Sequence, residues 1–305
     1  MLEPAWPTPA RWTPRGDFSF LVPAAFQPQR DAAGDWIVRQ GAGQMRMPGD
    51  GFFFDGDWLS NWGGLDEDAA IALYAREAER VYKETPYATA FLGYGYGPAF
   101  AAFFNGLEHG MQMLDDPAAA HADNERRLQH SLAIAGKVID AMGPHIQMLC
   151  LGNDMGMQAG PMCRPETMAE FVFPYYQRFC DFVHRHSDIK VFLHCCGSIK
   201  PLIPLIIEAG IDVLNPVQIS AADMEPAALK REFGERIVFW GGCCDTQNVL
   251  GTAAPEAVAR HTRGLVKTFK SGGGVVVNQV HNIMGDVPPA NIVAMLDAAY
   301  AGSFP

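Results

Sequence analysis

The sequence has little of what membrane, secreted or nucleic-acid-binding proteins require. No apolar run reaches the roughly 20 residues that span a bilayer, and the start, Met1-Leu2-Glu3-Pro4, lacks the basic region and apolar stretch of a secretory signal peptide. There are 23 lysines and arginines against 34 acidic residues, a net charge of −11, and no basic cluster exceeds a pair. This charge disfavours nucleic acid and anionic membrane surfaces as partners. We therefore expect a soluble cytoplasmic protein.

The cysteines lack the pattern of a disulfide framework. There are 7 of them, an odd number, and two pairs are adjacent, Cys195-Cys196 and Cys243-Cys244. Metal or thiol chemistry explains such pairs better than disulfide bonding. Ordinary burial is sufficient to explain Cys150 and Cys180.

From residue 66 onwards, short apolar strands alternate with helical patterns, which predicts a parallel sheet. Six strands are expected, at residues 88–92, 146–151, 190–193, 212–216, 237–240 and 274–278. Of the helices that follow them, we expect the one over residues 165–186 to be kinked at Pro174 and the one over residues 198–209 to be capped by Ser198. A chain of 305 residues suits a single (β/α)8 barrel of the TIM type. Because only six strand–helix units are visible, we predict over residues 66–305 a TIM-like barrel that is distorted or incomplete at its N-terminus.

Residues 1–65 have a different character from the rest of the chain. The first 16 residues hold four prolines and two tryptophans, which indicates an extended arm. Short strands are expected at residues 18–22, 36–39 and 45–47, with no helical period between them. We therefore predict an N-terminal arm and a β-rich cap that is separate from the barrel.

Polar or reactive side chains follow nearly every predicted strand. In chain order they are Tyr94 and Tyr96, Asn153 and Asp154, His194 and Cys196, Asn215 and Gln218, the group Cys243-Cys244-Asp245, and Asn278 with His281. The carboxyl ends of parallel strands converge at one mouth of an α/β fold, where active sites lie. Six such groups, each at the carboxyl end of a predicted strand, predict a functional site at this mouth.

Residues 190–197 contain the side chains that most clearly predict metal binding or catalysis. Residues two apart on a strand point to the same side, so His194 and Cys196 share a face and Cys195 points the other way. An imidazole beside a thiol is half of a zinc site, and both groups are also proton donors or nucleophiles. The competing interpretation is that the two cysteines are small buried residues and His194 is a hydrogen-bonded core histidine.

The other candidates also have structural alternatives. Asp154 would orient a ligand or act as an acid or base, or else close an Asx turn. Asp245 would bind a substrate or cap the turn that follows it. His281 would be a third metal ligand or a general acid, or a structural loop residue. The glycines at 272–274 precede a strand, so a helix C-cap is favoured over a phosphate cradle.

Taken together, several segments resemble the uroporphyrinogen decarboxylase-like superfamily, which holds that decarboxylase and the zinc-dependent, cobalamin-linked methyltransferases. The segments are NDMGMQAGP at 153–161, HCCGSI at 194–199, AGIDVLNPVQ at 209–218, FWGG at 239–242, DTQ at 245–247 and parts of 281–289. They occur in family order and cover about residues 85–300. The resemblance implies a distorted (β/α)8 barrel with its site at the C-terminal mouth.

Within the superfamily, the His-x-Cys-Gly pattern is similar to that of the methyltransferase branch, in which a His, a Cys and a later Cys bind zinc. The resemblance implies zinc on His194 and Cys196, with His281 standing where the later cysteine is expected. Two alternatives remain: Cys243 or Cys244 supplies the third ligand, or no metal binds.

The resemblance further implies a corrinoid (cobalamin) cofactor on a partner protein and a small methylated substrate or thiol. The substrate would then be contacted by Asp154, Gln218, Asp245 and Asn278. The side chains of Tyr94 and Tyr96 would line the pocket. A homodimer is a candidate assembly.

Two departures from the family pattern keep other functions open. Members usually carry a first strand and helix before the position of Asp17, so the barrel here is expected to start late. The clustered N-terminal arginines that hold a polycarboxylate substrate are also missing. The alternatives are a metal-free decarboxylase or lyase, with His281 or Asp154 as general acid, and a non-catalytic barrel.

Overall fold

The computed structural model describes residues 9–16, 18–23, 26–40, 43–51, 54–56, 67–92, 100 and 102–303. Of the predicted site residues, Tyr94 and Tyr96 lie outside the described residues. Among the described helices, none has the length and apolar character needed to cross a membrane.

The N-terminal part is built from two antiparallel sheets. The first is a hairpin of β1 (Pro9–Arg15) and β2 (Phe18–Pro23). The second holds four strands in sequence order, β3 (Gln29–Arg30), β4 (Trp36–Gln40), β5 (Gly43–Met47) and β6 (Asp55–Gly56). A small core forms around Met45 and Met47, and Trp12 of the hairpin packs against it. The β-rich character predicted here is present, and a domain boundary near residue 65 stays a prediction.

The central sheet has six parallel strands, and their spatial order follows the sequence. They are β7 (Ala90–Phe91), β8 (Met148–Gly152), β9 (Lys190–His194), β10 (Val213–Asn215), β11 (Val238–Trp240) and β12 (Val275–Val276). A doubly wound sheet would reverse its strand order. Here the strand order never reverses. Right-handed connections between parallel strands then place all connecting helices on the same face of the sheet. A sheet covered in this way curls as the sheet of a barrel does. The described strands form a half-barrel, in which all six predicted strands are found; closure into eight strands stays a prediction.

Helices fill the connections between the strands. They are α1 (Glu67–Glu84), α2 (Gly106–Asp115), α3 (Pro117–Met142), α4 (Pro165–Phe171), α5 (Phe173–His186), α6 (Ile203–Glu208), α7 (Pro226–Phe233), α8 (Pro255–Lys270) and α9 (Pro289–Ser303). The predicted interruption near Pro174 falls at Val172, where φ is −120° and α4 gives way to α5. A proline inside a helix removes a hydrogen bond and crowds the preceding turn, which explains the break.

One predicted helix start was wrong. Ser198 was expected to cap a helix over residues 198–209, but α6 begins at Ile203 after a short 3-10 turn at Lys200–Leu202. The backbone N–H of Ser198 instead donates to the carbonyl oxygen of Met157, 2.8 Å away. The segment that follows the strand is therefore held by a neighbouring loop before the helix can begin.

The two faces of the sheet bury different residues. Leu149, Val191 and Leu193 face the helices and belong to the main apolar core. The inner face buries Cys150, Phe192 and Val213, with Met148, Val238 and Trp240 packed against them. Along β9 the side chains alternate, so His194 lies on the inner face, one step beyond Phe192 toward the carboxyl end of the strand.

Candidate metal centre

The end of β9 brings an imidazole and a thiol together. His194 is the last residue of this strand and is paired with Gly152 of β8 on one side and Asn215 of β10 on the other. Cys195 is fully buried in the helix-facing core. Cys196 lies on the side of His194, with its Sγ 3.3 Å from His194 Nε2. The arrangement predicted from the two-residue period is therefore present.

The backbone after β9 is held from several sides. Each N–H from Cys195 to Ser198 donates to an acceptor on a neighbouring strand or loop, at 2.6–2.8 Å. The acceptors are Asn215 O, Asp154 Oδ1, Gln218 Oε1 and Met157 O, in that order. The position of Cys196 is thus fixed before any ligand arrives.

A pair of glycines allows the loops after β8 and β9 to touch. Gly197 has φ +93°, and a Cβ at this position would lie 2.4 Å from the carbonyl carbon of Gly156. A Cβ on Gly156 would lie 2.6 Å from the oxygen of Cys196. Only glycine permits so close an approach of two backbones. This approach brings the Asp154 carboxylate within hydrogen-bonding distance of the Cys196 N–H.

His281 completes a group of three potential ligands. It lies in the loop after β12 and is exposed, whereas His194 and Cys196 are half-buried. One ligand atom from each of the three side chains lies within 4.8 Å of the other two. Among the described residues, this is the group of metal-binding side chains that comes this close together. The structure thus unites the three residues that the sequence suggested as ligands.

The two alternative cysteine ligands lie elsewhere. Cys243 is buried in the main core, where burial raises the pKa of its thiol to about 11, and its Sγ lies 3.8 Å from the carbonyl oxygen of Gly241. Cys244 belongs to a separate apolar cluster with Leu250, Val258 and Met295. Neither thiol is part of the group that contains His194.

Asp154 sets the electrostatics beside Cys196. Its Oδ1 accepts the Cys196 N–H at 2.8 Å and lies 3.8 Å from His194 Nε2. Burial raises the pKa of the Cys196 thiol to about 12, with smaller contributions from the charge of Asp154 and from a side-chain hydrogen bond between that carboxylate and the thiol. Without a metal, Cys196 is therefore a thiol at neutral pH, and it must lose its proton to bind one.

Gln218 is engaged in a chain of amides at the mouth. Its Oε1 accepts the Gly197 N–H at 2.7 Å, and its Nε2 donates to Gln158 Oε1 at 3.1 Å. Gln158 in turn donates to Gln247 at 3.0 Å. Gln218 therefore holds the loop that carries Cys196. Gln158 and Gln247 had not been proposed as site residues.

Asp245 and Asn278 make local contacts. The Asp245 carboxylate accepts the N–H groups of Gln247 at 2.8 Å and Asn248 at 3.1 Å. Of the two interpretations of Asp245, this is the geometry of the cap. The Oδ1 of Asn278 accepts the Gln279 N–H at 3.0 Å. A role for either residue in substrate binding stays a prediction.

Asn215, one of the polar residues that follow the predicted strands, contacts the candidate centre, although no specific role was predicted for it. Its Oδ1 lies 2.8 Å from His194 Nδ1, and its Nδ2 donates to the Trp240 carbonyl oxygen at 3.0 Å. A strand-end position beside His194 in the sheet was the available signal. That register was not predictable until the strand order was known.

A large cleft lies at the opposite end of the strands. It measures about 1140 Å³ and is lined by residues at the amino ends of β9, β10 and β11, such as Lys190, Val213 and Val238. Lys190 and His184 both contact Asp212 there, at 3.4 and 2.8 Å. In barrels this end serves stability and the carboxyl end serves chemistry, so the centre at His194 is the functional candidate.

Comparison with known proteins identifies the relatives of the chain. Residues 106–301 match the family described as "Uroporphyrinogen decarboxylase (URO-D)". No curated protein matches. A solved methyltransferase from Methanosarcina mazei is similar in fold, with a TM-score of 0.50 and 15% identity, over 64% of this chain and 53% of that one. The present chain thus spans about half the length of that methyltransferase. A sugar phosphate isomerase/epimerase from Parabacteroides distasonis aligns with a TM-score of 0.37 and 11% identity, over 76% of this chain and 88% of that one.

Proposed function

The chain belongs to the uroporphyrinogen decarboxylase (URO-D) family, and on this premise we propose that it is a corrinoid-dependent methyltransferase with a zinc centre. The methyl group would move between a small methylated substrate or thiol and a corrinoid cofactor on a partner protein. The observation that carries the proposal is the meeting of His194, Cys196 and His281 at the carboxyl end of the sheet. The fold of the M. mazei methyltransferase agrees with it.

The donor set suits zinc. Imidazole nitrogen and thiolate sulfur are its preferred ligands, and bonds of about 2.0–2.3 Å in a tetrahedron separate the donor atoms by roughly 3.3–3.8 Å. The distance of 3.3 Å between His194 Nε2 and Cys196 Sγ falls at the lower end of that range. Three protein ligands also leave a fourth position open, as catalytic zinc sites do.

Bound zinc would lower the pKa of a thiol or polarise an ether oxygen at the open position. The protein supplies the surroundings. Asp154 has a side chain that is 54% exposed and is held beside His194 and Cys196, so it can accept a proton from an incoming thiol. Phe192 and Trp240 pack edge to face, with centroids 5.3 Å apart, and form an apolar surface beneath His194.

Decarboxylation of a porphyrinogen is disfavoured by charge. A substrate with many carboxylates needs cationic partners. Among the described residues, no lysine or arginine forms a hydrogen bond or an ion pair with the side chain of Asp154, His194 or Cys196. A metal-free lyase is the second candidate, because the Asp154 carboxylate lies 3.8 Å from His194 Nε2 and this pair could exchange a proton. Activity of such a lyase would survive chelation.

Metal content of the purified protein tests the zinc centre. Elemental mass spectrometry after zinc reconstitution under reducing conditions should find about one zinc per chain. We expect His194→Ala, Cys196→Ser and His281→Ala to lose it. Two controls should retain it: Cys163→Ser removes a half-buried thiol elsewhere, and His186→Gln removes an exposed imidazole bonded to its own helix.

Reconstituted protein without zinc, or full zinc content in Cys196→Ser, would reject the centre. The reaction is tested next. Demethylation of free methylcobalamin by a thiol, followed by visible absorption, should require zinc and should stop in the three ligand variants. Turnover of a small acid that persists in the presence of chelator would support the lyase instead.

A further inference from the structure

We propose that Asn215 is a positioning residue that holds His194 in a single tautomer, with the hydrogen on Nδ1 and the free lone pair on Nε2. Nε2 is the atom that lies 3.3 Å from Cys196 Sγ. Asn215 would therefore decide which nitrogen of His194 is offered to a metal. The inference deepens the proposed function and rests on it only for its consequence in zinc binding.

The Trp240 carbonyl determines the orientation of the Asn215 amide. A carbonyl oxygen can only accept hydrogen bonds, so the side-chain nitrogen of Asn215 must face Trp240, where the contact is 3.0 Å. The amide oxygen then faces His194, at 2.8 Å from Nδ1. Because that oxygen is also only an acceptor, Nδ1 must be the donor. A neutral imidazole with its hydrogen on Nδ1 has its lone pair on Nε2.

The backbone keeps this amide in place. Asn215 pairs with His194 between β10 and β9, and its carbonyl oxygen accepts the Cys195 N–H at 2.6 Å. On the other side, β10 pairs in register with β11, Leu214 opposite Phe239, which places Asn215 beside Trp240. The register of β10 with both of its neighbours thus fixes the two hydrogen bonds of Asn215, one to the Trp240 carbonyl oxygen and one to the His194 imidazole.

A hydrogen-bond partner on the second nitrogen of a metal-ligating histidine strengthens the metal site. A ligating histidine usually donates its other N–H to a carboxylate or carbonyl group, and loss of that partner typically costs about 10–100-fold in metal affinity. Asn215→Leu removes both hydrogen bonds. Asn215→Asp keeps the acceptor for His194 Nδ1 and loses only the donor to Trp240. The two variants therefore separate a role toward His194 from a role in holding β11.

The test has two readouts on the full chain. Nitrogen-15 NMR of the metal-free protein reports which nitrogen of His194 carries the hydrogen, with His194→Gln used to assign the signal. Competition with a chromophoric chelator reports zinc affinity. We expect the Nδ1–H form in wild type and Asn215→Asp, a mixed or reversed tautomer in Asn215→Leu, and zinc binding that is about 10–100-fold weaker in that variant alone. Asn248→Leu, at an exposed asparagine, is the control.

Each outcome decides the matter. An Nε2–H form in wild-type protein overturns the proposal, even if Asn215→Leu does not fold. Equal losses of zinc affinity in Asn215→Leu and Asn215→Asp, with the tautomer unchanged, would show a structural role only. If wild type binds no zinc but the tautomer changes in Asn215→Leu as expected, the proposed function fails and the positioning role stands.

Discussion

The contact between Gly156 and Gly197 makes the candidate centre sensitive to a single methyl group. Gly197→Ala would place a Cβ 2.4 Å from the carbonyl carbon and 2.6 Å from the oxygen of Gly156, on a backbone with φ +93°. These neighbours are main-chain atoms, so no side-chain rotation can relieve the overlap. The loops after β8 and β9 would have to separate, and the hydrogen bond from Cys196 N to Asp154 would lengthen.

The expected cost follows from two contributions. A left-handed backbone costs a residue with a Cβ about 1–2 kcal/mol, and overpacking of a close contact costs about 1–3 kcal/mol. We expect Gly197→Ala to lower the free energy of unfolding by about 2–5 kcal/mol, a large part of the roughly 5–15 kcal/mol that is typical of native proteins. Displacement of Cys196 should also weaken zinc binding by about tenfold or more.

Urea denaturation followed by circular dichroism measures the first effect, and chelator competition measures the second. Gly160→Ala is the matched control, because it lies in the loop after β8 and a Cβ there has no atom within 4 Å. That variant should stay within about 0.5 kcal/mol of wild type. If Gly197→Ala unfolds at the same urea concentration as Gly160→Ala, the two loops do not touch through their backbones, and the reasoning is refuted.

Two further predictions concern charge. Hydrogen bonds from Arg178, and one from Gln129, lower the pKa of Glu125 to about 2 from its ordinary 4.5; the carboxylate thus stabilises the fold above pH 4.5, and this contribution disappears as the pH falls toward 2. The pair is nearly half exposed, so Glu125→Gln should cost only about 0.5–1 kcal/mol at pH 7 in urea titrations, and a difference that persisted at pH 2 would contradict this origin. Because Asp154 helps to raise the pKa of Cys196, Asp154→Asn should speed its alkylation by iodoacetamide at pH 8 in metal-free protein. We expect a gain of about three- to fourfold for each unit of pKa removed, since the tenfold larger thiolate fraction is partly offset by the lower nucleophilicity of that thiolate. An unchanged rate by peptide mass spectrometry would mean that burial alone sets this pKa.

The sequence was informative where a local pattern is decided by burial. The six strands were recognisable because strands that are covered on both faces read as short apolar runs. His194 and Cys196 were assigned to one face by the two-residue period of a strand, which depends on no distant contact. The interruption of the helix near Pro174 is likewise a local property of proline.

The features that the sequence left open depend on contacts across the sheet. Whether His281, Cys243 or Cys244 approaches His194 is decided by the path of the loops after β11 and β12, which no local period encodes. Asp245 could not be assigned because a capping carboxylate and a substrate-binding one occupy the same kind of turn. The start of α6 was misjudged because Ser198 is held by Met157 from another loop.

The candidate centre combines parts of unequal stability. His194 and Cys196 come from the middle of the sheet, where β9 is paired on both sides and the backbone around Cys196 is held by four hydrogen bonds. His281 is exposed and follows β12, a two-residue strand at the edge of the described sheet. A rigid pair with a third ligand on a peripheral loop can bind a metal and still let one ligand move when a substrate enters. Because edge elements open at lower free energy than central ones, we expect His281, the proposed third ligand, to be the one that the centre exchanges most easily.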